Sequence, residues 1–139
     1  MKPVEILLVE DNEGDILLTT EALEEGKILN NTRVVRDGRM ALDFLAEGLR
    51  SGTLPDLILL DVNLPRINGH EVLQYVKHHM ELKHIPVIML TTSSAEKDIN
   101  LSYKNHANCY ITKPVDATDF IEAISKIEDF WINIVQLPK

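Results

Sequence analysis

Glu10 and Asp11 follow the apolar run Ile6-Leu7-Leu8-Val9, and Asp61 follows Leu57-Ile58-Leu59-Leu60. Thr91 and Thr92 follow Val87-Ile88-Met89-Leu90, and Lys113-Pro114 comes just after Cys109-Tyr110-Ile111. Three carboxylates gathered without a cation would repel, and one would be driven to keep a proton, so such a set points to a hard-cation site. Oxygen ligands select magnesium over zinc, because Mg2+ takes octahedral oxygen, accepts one or two carboxylates with water, and leaves room for a phosphoryl group. Asp11 and Asp61 would supply the carboxylates, the backbone carbonyl of Asn63 a third ligand, and Glu10 would hold a metal-bound water. Lys113 as an ammonium point charge and Thr91 as a hydroxyl donor complete a phosphate cradle. Asp61 is then left as nucleophile. Carboxylates form acyl phosphates, and the loose transition state of phosphoryl transfer asks mainly for positioning and charge neutralisation. One Asp after a strand is commonly a turn or cap residue; four strand ends carrying acid-acid, Asp, Thr and Lys together mark a site.

The elements that must bring these residues together can be read from the apolar pattern. The four runs do not alternate with polar residues, as suits strands buried on both faces. A fifth, β-branched piece, Thr32-Arg33-Val34-Val35-Arg36, is polar at its ends and is expected at a sheet edge. Helical spacing recurs over residues 15–25, 39–49, 69–80, 94–105 and 117–135, with Ser94 the expected cap of the fourth segment. Strand and helix therefore alternate five times, which implies right-handed crossovers and a parallel sheet with helices on both faces. The expected fold is a doubly wound α/β domain, flavodoxin-like, with five strands in the order 2-1-3-4-5 and five helices. In such sheets ligands bind outside the carboxyl ends of the strands, where the residues above all fall.

Composition narrows the function classes. The 139 residues fit one domain, and 14 Lys and Arg against 22 Asp and Glu leave a net charge of −8. The basic residues are scattered, so nucleic acid and anionic lipid are disfavoured partners. A lone cysteine, Cys109, excludes a disulfide framework and a Cys-rich zinc site. No signal peptide or membrane-length apolar window is found, and a cytoplasmic protein is expected. The five histidines and Lys77, Lys83 and Lys104 read as surface groups. No G-x-G-x-x-G or G-x-x-x-x-G-K occurs. Two alternatives use similar parts. A dehalogenase-like Mg2+ phosphatase needs a second Asp two residues after the first, where Asn63 stands. A flavodoxin-like FMN module needs a phosphate loop after strand one, where Glu10-Asp11 would repel the phosphate.

Val9-Glu10-Asp11-Asn12, Leu59-Leu60-Asp61-Val62-Asn63-Leu64-Pro65, Asn68-Gly69, Pro86 through Thr92 and Tyr110-Ile111-Thr112-Lys113-Pro114 resemble the receiver domain of two-component response regulators. The likeness spans essentially the whole chain. It implies Asp61 as phosphoacceptor, Glu10 and Asp11 as the acidic pair at the magnesium, Thr91 as switch hydroxyl, Tyr110 as switch aromatic and Lys113 as the phosphate-binding lysine. It also implies a cis Lys113–Pro114 peptide, a sensor histidine kinase as phosphoryl donor, and a readout face made by the fourth helix, fifth strand and fifth helix. The protein would be a signalling acceptor rather than an enzyme, with only self-catalysed phosphorylation and dephosphorylation. Glu10-Asp11-Asn12 followed by Asp15, the Asn108-Cys109-Tyr110 strand, and Phe130-Trp131 with Leu137-Pro138 resemble the single-domain, phytochrome-associated regulators, whose kinase is a photoreceptor.

Residues 1–139 are thus expected to form one receiver domain, with 130–139 as a C-terminal extension and no output domain. Output would pass through an unidentified downstream protein or through assembly. In the last helix Phe120, Ile124, Ile127, Trp131 and Ile134 form one stripe, while Ile121, Phe130, Ile132 and Val135 lie outside it, and one sheet cannot bury both sets. The excess suggests a homodimer with Phe130 and Trp131 at the centre of its interface. The alternative is that the final residues fold back onto their own domain.

Overall fold

The computed structural model describes residues 3–26, 28–114 and 116–133, with side chains to Asp129. Five strands, β1 (Val4–Val9), β2 (Asn30–Val35), β3 (Leu57–Leu60), β4 (Val87–Thr91) and β5 (Cys109–Thr112), alternate with five helices. These are α1 (Glu13–Glu25), α2 (Gly38–Ser51), α3 (Gly69–His78), α4 (Glu96–Lys104) and α5 (Ala117–Asn133). The strands form one parallel sheet in the order β2-β1-β3-β4-β5, with β2 at an edge as its polar pattern requires.

The unbroken apolar runs are explained by what covers each face. Side chains alternate across a strand, so Leu7, Val9, Ile58, Leu60, Val87 and Met89 point to one side, where Ala41, Leu45, Val72, Leu73 and Val76 of α2 and α3 meet them. Ile6, Leu8, Leu57, Leu59, Ile88 and Leu90 point to the other, against Ala22 and Leu23 of α1 and Phe120, Ile124 and Ile127 of α5. The register Leu8↔Leu59 and Leu59↔Ile88 lines up the three central strands, so the residues that follow them emerge side by side.

Capping fixes where the helices begin. The Asn12 side chain accepts from the Asp15 amide, and the Asp37 side chain accepts from that of Met40. Asn68 and Glu71 form a reciprocal capping box on α3. Next to it Gly69 lies so close to the backbone carbonyl of Asp61 that no Cβ would fit. α4 departs from expectation. It starts at Glu96 behind Ala95 rather than at a Ser94 cap, and no side chain caps it. Ser94 is exposed, whereas the neighbouring Ser93 hydroxyl accepts from the Ala95 amide at 3.3 Å and so turns the chain before the helix. Only Ser102 of α4 is buried.

Two further expectations need correction. The Lys113–Pro114 peptide is trans, since no cis bond occurs among the described residues. An X–Pro bond keeps a preference of about 0.5–1 kcal/mol for trans unless its surroundings oppose it. Lys77 is half-buried and tied down rather than freely solvated. Its ammonium donates to the carbonyls of Lys83 (3.1 Å) and Ile85 (2.7 Å) and to Asn108 Oδ1 (3.2 Å), just ahead of β4 and β5. The long alkyl stem of lysine can lie along apolar surface while its head reaches these acceptors. The side chains of Phe130 and Trp131 and all of residues 134–139, on which the interface reading rests, lie outside the described residues.

Candidate phosphate and metal site

β1, β3, β4 and β5 end at the same edge of the sheet and deliver Glu10, Asp61, Thr91 and Lys113 to it. All four are buried. Asp11, one residue further out than Glu10, is exposed. Lys113 sits at the centre, its side chain 2% exposed. Its ammonium bonds Glu10 Oε1, Asp15 Oδ2 at 3.1 Å and Asp61 Oδ2 at 3.4 Å. The other Glu10 oxygen accepts from the amides of Asp11 (3.1 Å) and Asn12 (3.2 Å). The Asn63 amide donates to Asp61 Oδ1 at 3.2 Å, which sets residue 63 beside that carboxylate.

The electrostatics follow from burial. Loss of water pushes the Glu10 carboxyl up, opposed by its bond to Lys113 and reinforced by the charge of Asp61, and it lies at about 7 instead of 4.5. Burial would lower the Lys113 pKa, but its bonds to Glu10 and Asp15 and the charge of Asp61 outweigh that and hold it above its ordinary value. One ammonium thus faces Glu10, Asp15 and Asp61, with Asp11 beside them, and positive charge is in deficit. Glu10, Asp11 and Asp61 each offer an oxygen within 4.8 Å of the others. An all-oxygen set with excess negative charge fits a divalent cation of the Mg2+ class, whose charge would relieve the repulsion.

Thr91 is the last residue of β4 rather than the first beyond it. Its hydroxyl oxygen accepts from the Ser93 amide at 3.3 Å, and its carbonyl accepts from the Lys113 amide at 2.7 Å. Tyr110, on β5, donates its hydroxyl to the Ser93 carbonyl at 2.8 Å, so its ring is turned toward the β4–α4 loop. Burial, with the charges of Asp98 and Asp61, raises its pKa against the opposing bond to Ser93.

Sequence reasoning gathered these residues but missed Asp15 as a partner of Lys113. The signal was available: an N-cap at Asn12 puts Asp15 on the first turn of α1, facing the strand ends. It also missed His70, taken as a surface group with the other histidines. His70 is buried, and its Nε2 lies 2.9 Å from Asp98 Oδ1. Its place in the first turn of α3, under α4, follows from helix packing that local sequence does not show.

The response regulator receiver domain family matches residues 6–125, and the chain belongs to that family. It is 43% identical over 138 residues to the response regulator Rcp1 of Synechocystis sp., covering 98% of this chain and 94% of that protein. Among solved structures it is similar to the phosphorylated cyanobacterial phytochrome response regulator RcpA. There the TM-score is 0.93 and the identity 42%, over 99% of this chain and 100% of that one. The Mn2+-bound form of Rcp1 gives a TM-score of 0.90 and 43% identity, covering 99% and 100%. Family membership decides for the receiver against the phosphatase and flavin-carrier alternatives, and a divalent-metal-bound relative agrees with the acidic cluster. No helix among the described residues is long and apolar enough to cross a membrane.

Proposed function

We propose that the protein accepts a phosphoryl group on Asp61 from the phosphohistidine of a sensor histidine kinase and signals by protein contact through the α4-β5-α5 face. The observation that carries this is the placement of Lys113 among Glu10, Asp15 and Asp61, with Thr91 on the neighbouring strand. An Asp61 carboxylate oxygen attacks phosphorus in line, the O–P bond forms as the N–P bond breaks, and the imidazole leaves with the N–P electron pair. Lys113, released from part of its bonding to carboxylates, turns its positive charge to the phosphoryl oxygens, and the Thr91 hydroxyl donates to another. Asp11, Asp61 and the Asn63 carbonyl would hold a Mg2+ ion, with Glu10 placed to orient water beside it, and the ion would supply charge neutralisation. The same residues account for self-dephosphorylation, and the protein acts as a signalling acceptor rather than as an enzyme on other substrates. Incubation with radiolabelled acetyl phosphate and Mg2+ is expected to label the wild type and leave Asp61→Ala unlabelled. Equal labelling of both would refute the reading.

The 43% identity to Rcp1 and the 42% identity to the phytochrome regulator RcpA support a phytochrome-type photoreceptor kinase as the donor. For output, Tyr103 on α4 and Ile121 on α5 are large and exposed, and the helix pattern sets Phe130 with Ile121 off the stripe that carries Phe120, Ile124, Ile127 and Trp131, more apolar surface than one sheet can bury. These features support a homodimer through that face, acting within the cytoplasm on a further protein. Light scattering of the wild type is expected to give a dimer mass and Trp131→Ala a monomer mass. A monomeric wild type at about 10 μM would end the dimer reading, since even modest interfaces hold at that concentration.

A further inference from the structure

Ser93 touches both residues expected to switch, and it does so with its backbone. Its amide donates to the Thr91 hydroxyl at 3.3 Å, and its carbonyl accepts from the Tyr110 hydroxyl at 2.8 Å. What holds Ser93 itself is its side chain, whose hydroxyl donates to Asp98 Oδ2 at 2.6 Å. The second Asp98 oxygen lies 2.9 Å from His70 Nε2. His70 follows Gly69, whose amide donates to the Val62 carbonyl and whose Cα lies against the Asp61 carbonyl. The chain of contacts therefore begins at the backbone of Asp61, crosses α3 and the first turn of α4, and returns through Ser93 to Thr91 and Tyr110.

We propose that His70, Asp98 and Ser93 form a clasp between α3 and the β4–α4 loop that holds Tyr110 in its inward seat before any phosphoryl group arrives. Three features of α4 make the clasp necessary. The helix has no side-chain cap, it buries only Ser102, and Asp98 in its first turn is therefore its main polar tie to α3. Asp98 Oδ1 and Oδ2 are each engaged, and the bonds from Ser93 and His70 hold its carboxyl below the usual carboxylate range. On the other side, His70 Nδ1 is buried with no hydrogen-bond partner among the described residues, so Asp98 is the ring's one hydrogen-bond partner among them. Elements with few buried contacts open at low free energy, and an α4 freed from Asp98 would take Ser93 and the Tyr110 acceptor with it. His70, Asp98 and Ser93 are positioning residues here. They touch neither the phosphoryl group nor its metal, and act through Thr91 and Tyr110.

The inference rests on Thr91 and Tyr110 being the switch pair, and its test separates the two ideas. The full chain is labelled with 3-fluorotyrosine, and the Tyr110 fluorine signal is assigned by its absence in Tyr110→Phe. In the unmodified protein, Ser93→Ala and His70→Asn are each expected to move or broaden that signal while that of Tyr75 on α3 stays, and His70→Gln, which can still donate to Asp98, to restore it. Labelling by acetyl phosphate should fall about fivefold in Ser93→Ala, the loss of one ordinary hydrogen bond, and should not fall further when Ser93→Ala is added to Tyr110→Phe. Ser93 is a loop residue, so this variant carries the test if His70→Asn fails to fold. An unchanged Tyr110 signal in Ser93→Ala would overturn the clasp. A moved signal together with wild-type labelling would keep the clasp and refute the switch role of Tyr110.

Discussion

Two lysines, Lys77 half-buried and Lys113 buried, stand at opposite ends of the same sheet and serve opposite ends. Lys77, ahead of β4 and β5, is held by the backbone carbonyls of Lys83 and Ile85 and by the Asn108 amide oxygen. Lys113, beyond β5, is held by the carboxylates of Glu10, Asp15 and Asp61. Burial lowers the pKa of the first, whereas carboxylates raise that of the second. Neutral carbonyls fix a cation in place without having charge of their own to exchange, so Lys77 is a pin between α3 and the starts of two strands. A cation among several acids can be shared out again when another anion enters. The difference separates a lysine held by neutral acceptors from one held by charges, and the second arrangement is what the proposed phosphoryl role of Lys113 requires.

Paired substitutions put this contrast to its hardest test. Lys113→Met should cut acetyl phosphate labelling by about a hundredfold, the scale of losing one preorganised charge donor at a transition state. Its melting temperature in chelator should also fall, because the acids lose their only buried counter-charge among the described residues, and Mg2+ should recover much of the loss. Lys77→Met should lower stability by about 0.5–1.5 kcal/mol, the loss of ordinary part-exposed hydrogen bonds, and should change labelling by no more than about twofold. Its loss of stability should be the same with and without Mg2+. A Mg2+-sensitive Lys77→Met, or a Lys113→Met that labels normally, would collapse the distinction.

A smaller effect sharpens it. With the Glu10 carboxyl at about 7 in the folded chain and 4.5 ordinarily, folding takes up a proton between those values. That contribution is complete below pH 4.5 and is lost as pH rises through about 7. Lys113, raised above 10.5, and Asp98, lowered below 3.8, contribute evenly across this window. Thermal unfolding in chelator should therefore show a downward component of stability from pH 5 to about 7.5 that Glu10→Gln removes. A slope unchanged in Glu10→Gln would place the proton elsewhere.

The fold was legible because the pattern that encodes it is local and strong. Unbroken short runs such as Leu57-Ile58-Leu59-Leu60, bounded by turn residues, suit strands covered on both sides, and the helical segments between them leave few topologies. Boundaries shifted by a few residues, as when β2 proved to be Asn30–Val35 and α4 began at Glu96. α4 was the least readable element because it has no side-chain cap and buries only Ser102, while Asp98 in its first turn reaches His70 on α3 and Ser93 in the preceding loop. The residues of the site were legible for a different reason: a parallel sheet sends the ends of its strands to one edge, so position along the chain became position in space.

What the sequence determined by itself was therefore the α/β alternation, the strand order, and the meeting of Glu10, Asp11, Asp61, Thr91 and Lys113 at one edge. What the tertiary structure alone decided was who bonds whom. Lys113 reaches Glu10, Asp15 and Asp61 across 103, 98 and 52 residues, and His70 reaches Asp98 across 28. Periodicity fixes which face a side chain takes. The partner it finds there, and whether that partner is a charge or a neutral carbonyl, is set by the packing of elements distant in sequence, where differences of about an ångström in side-chain reach decide which hydrogen bonds form.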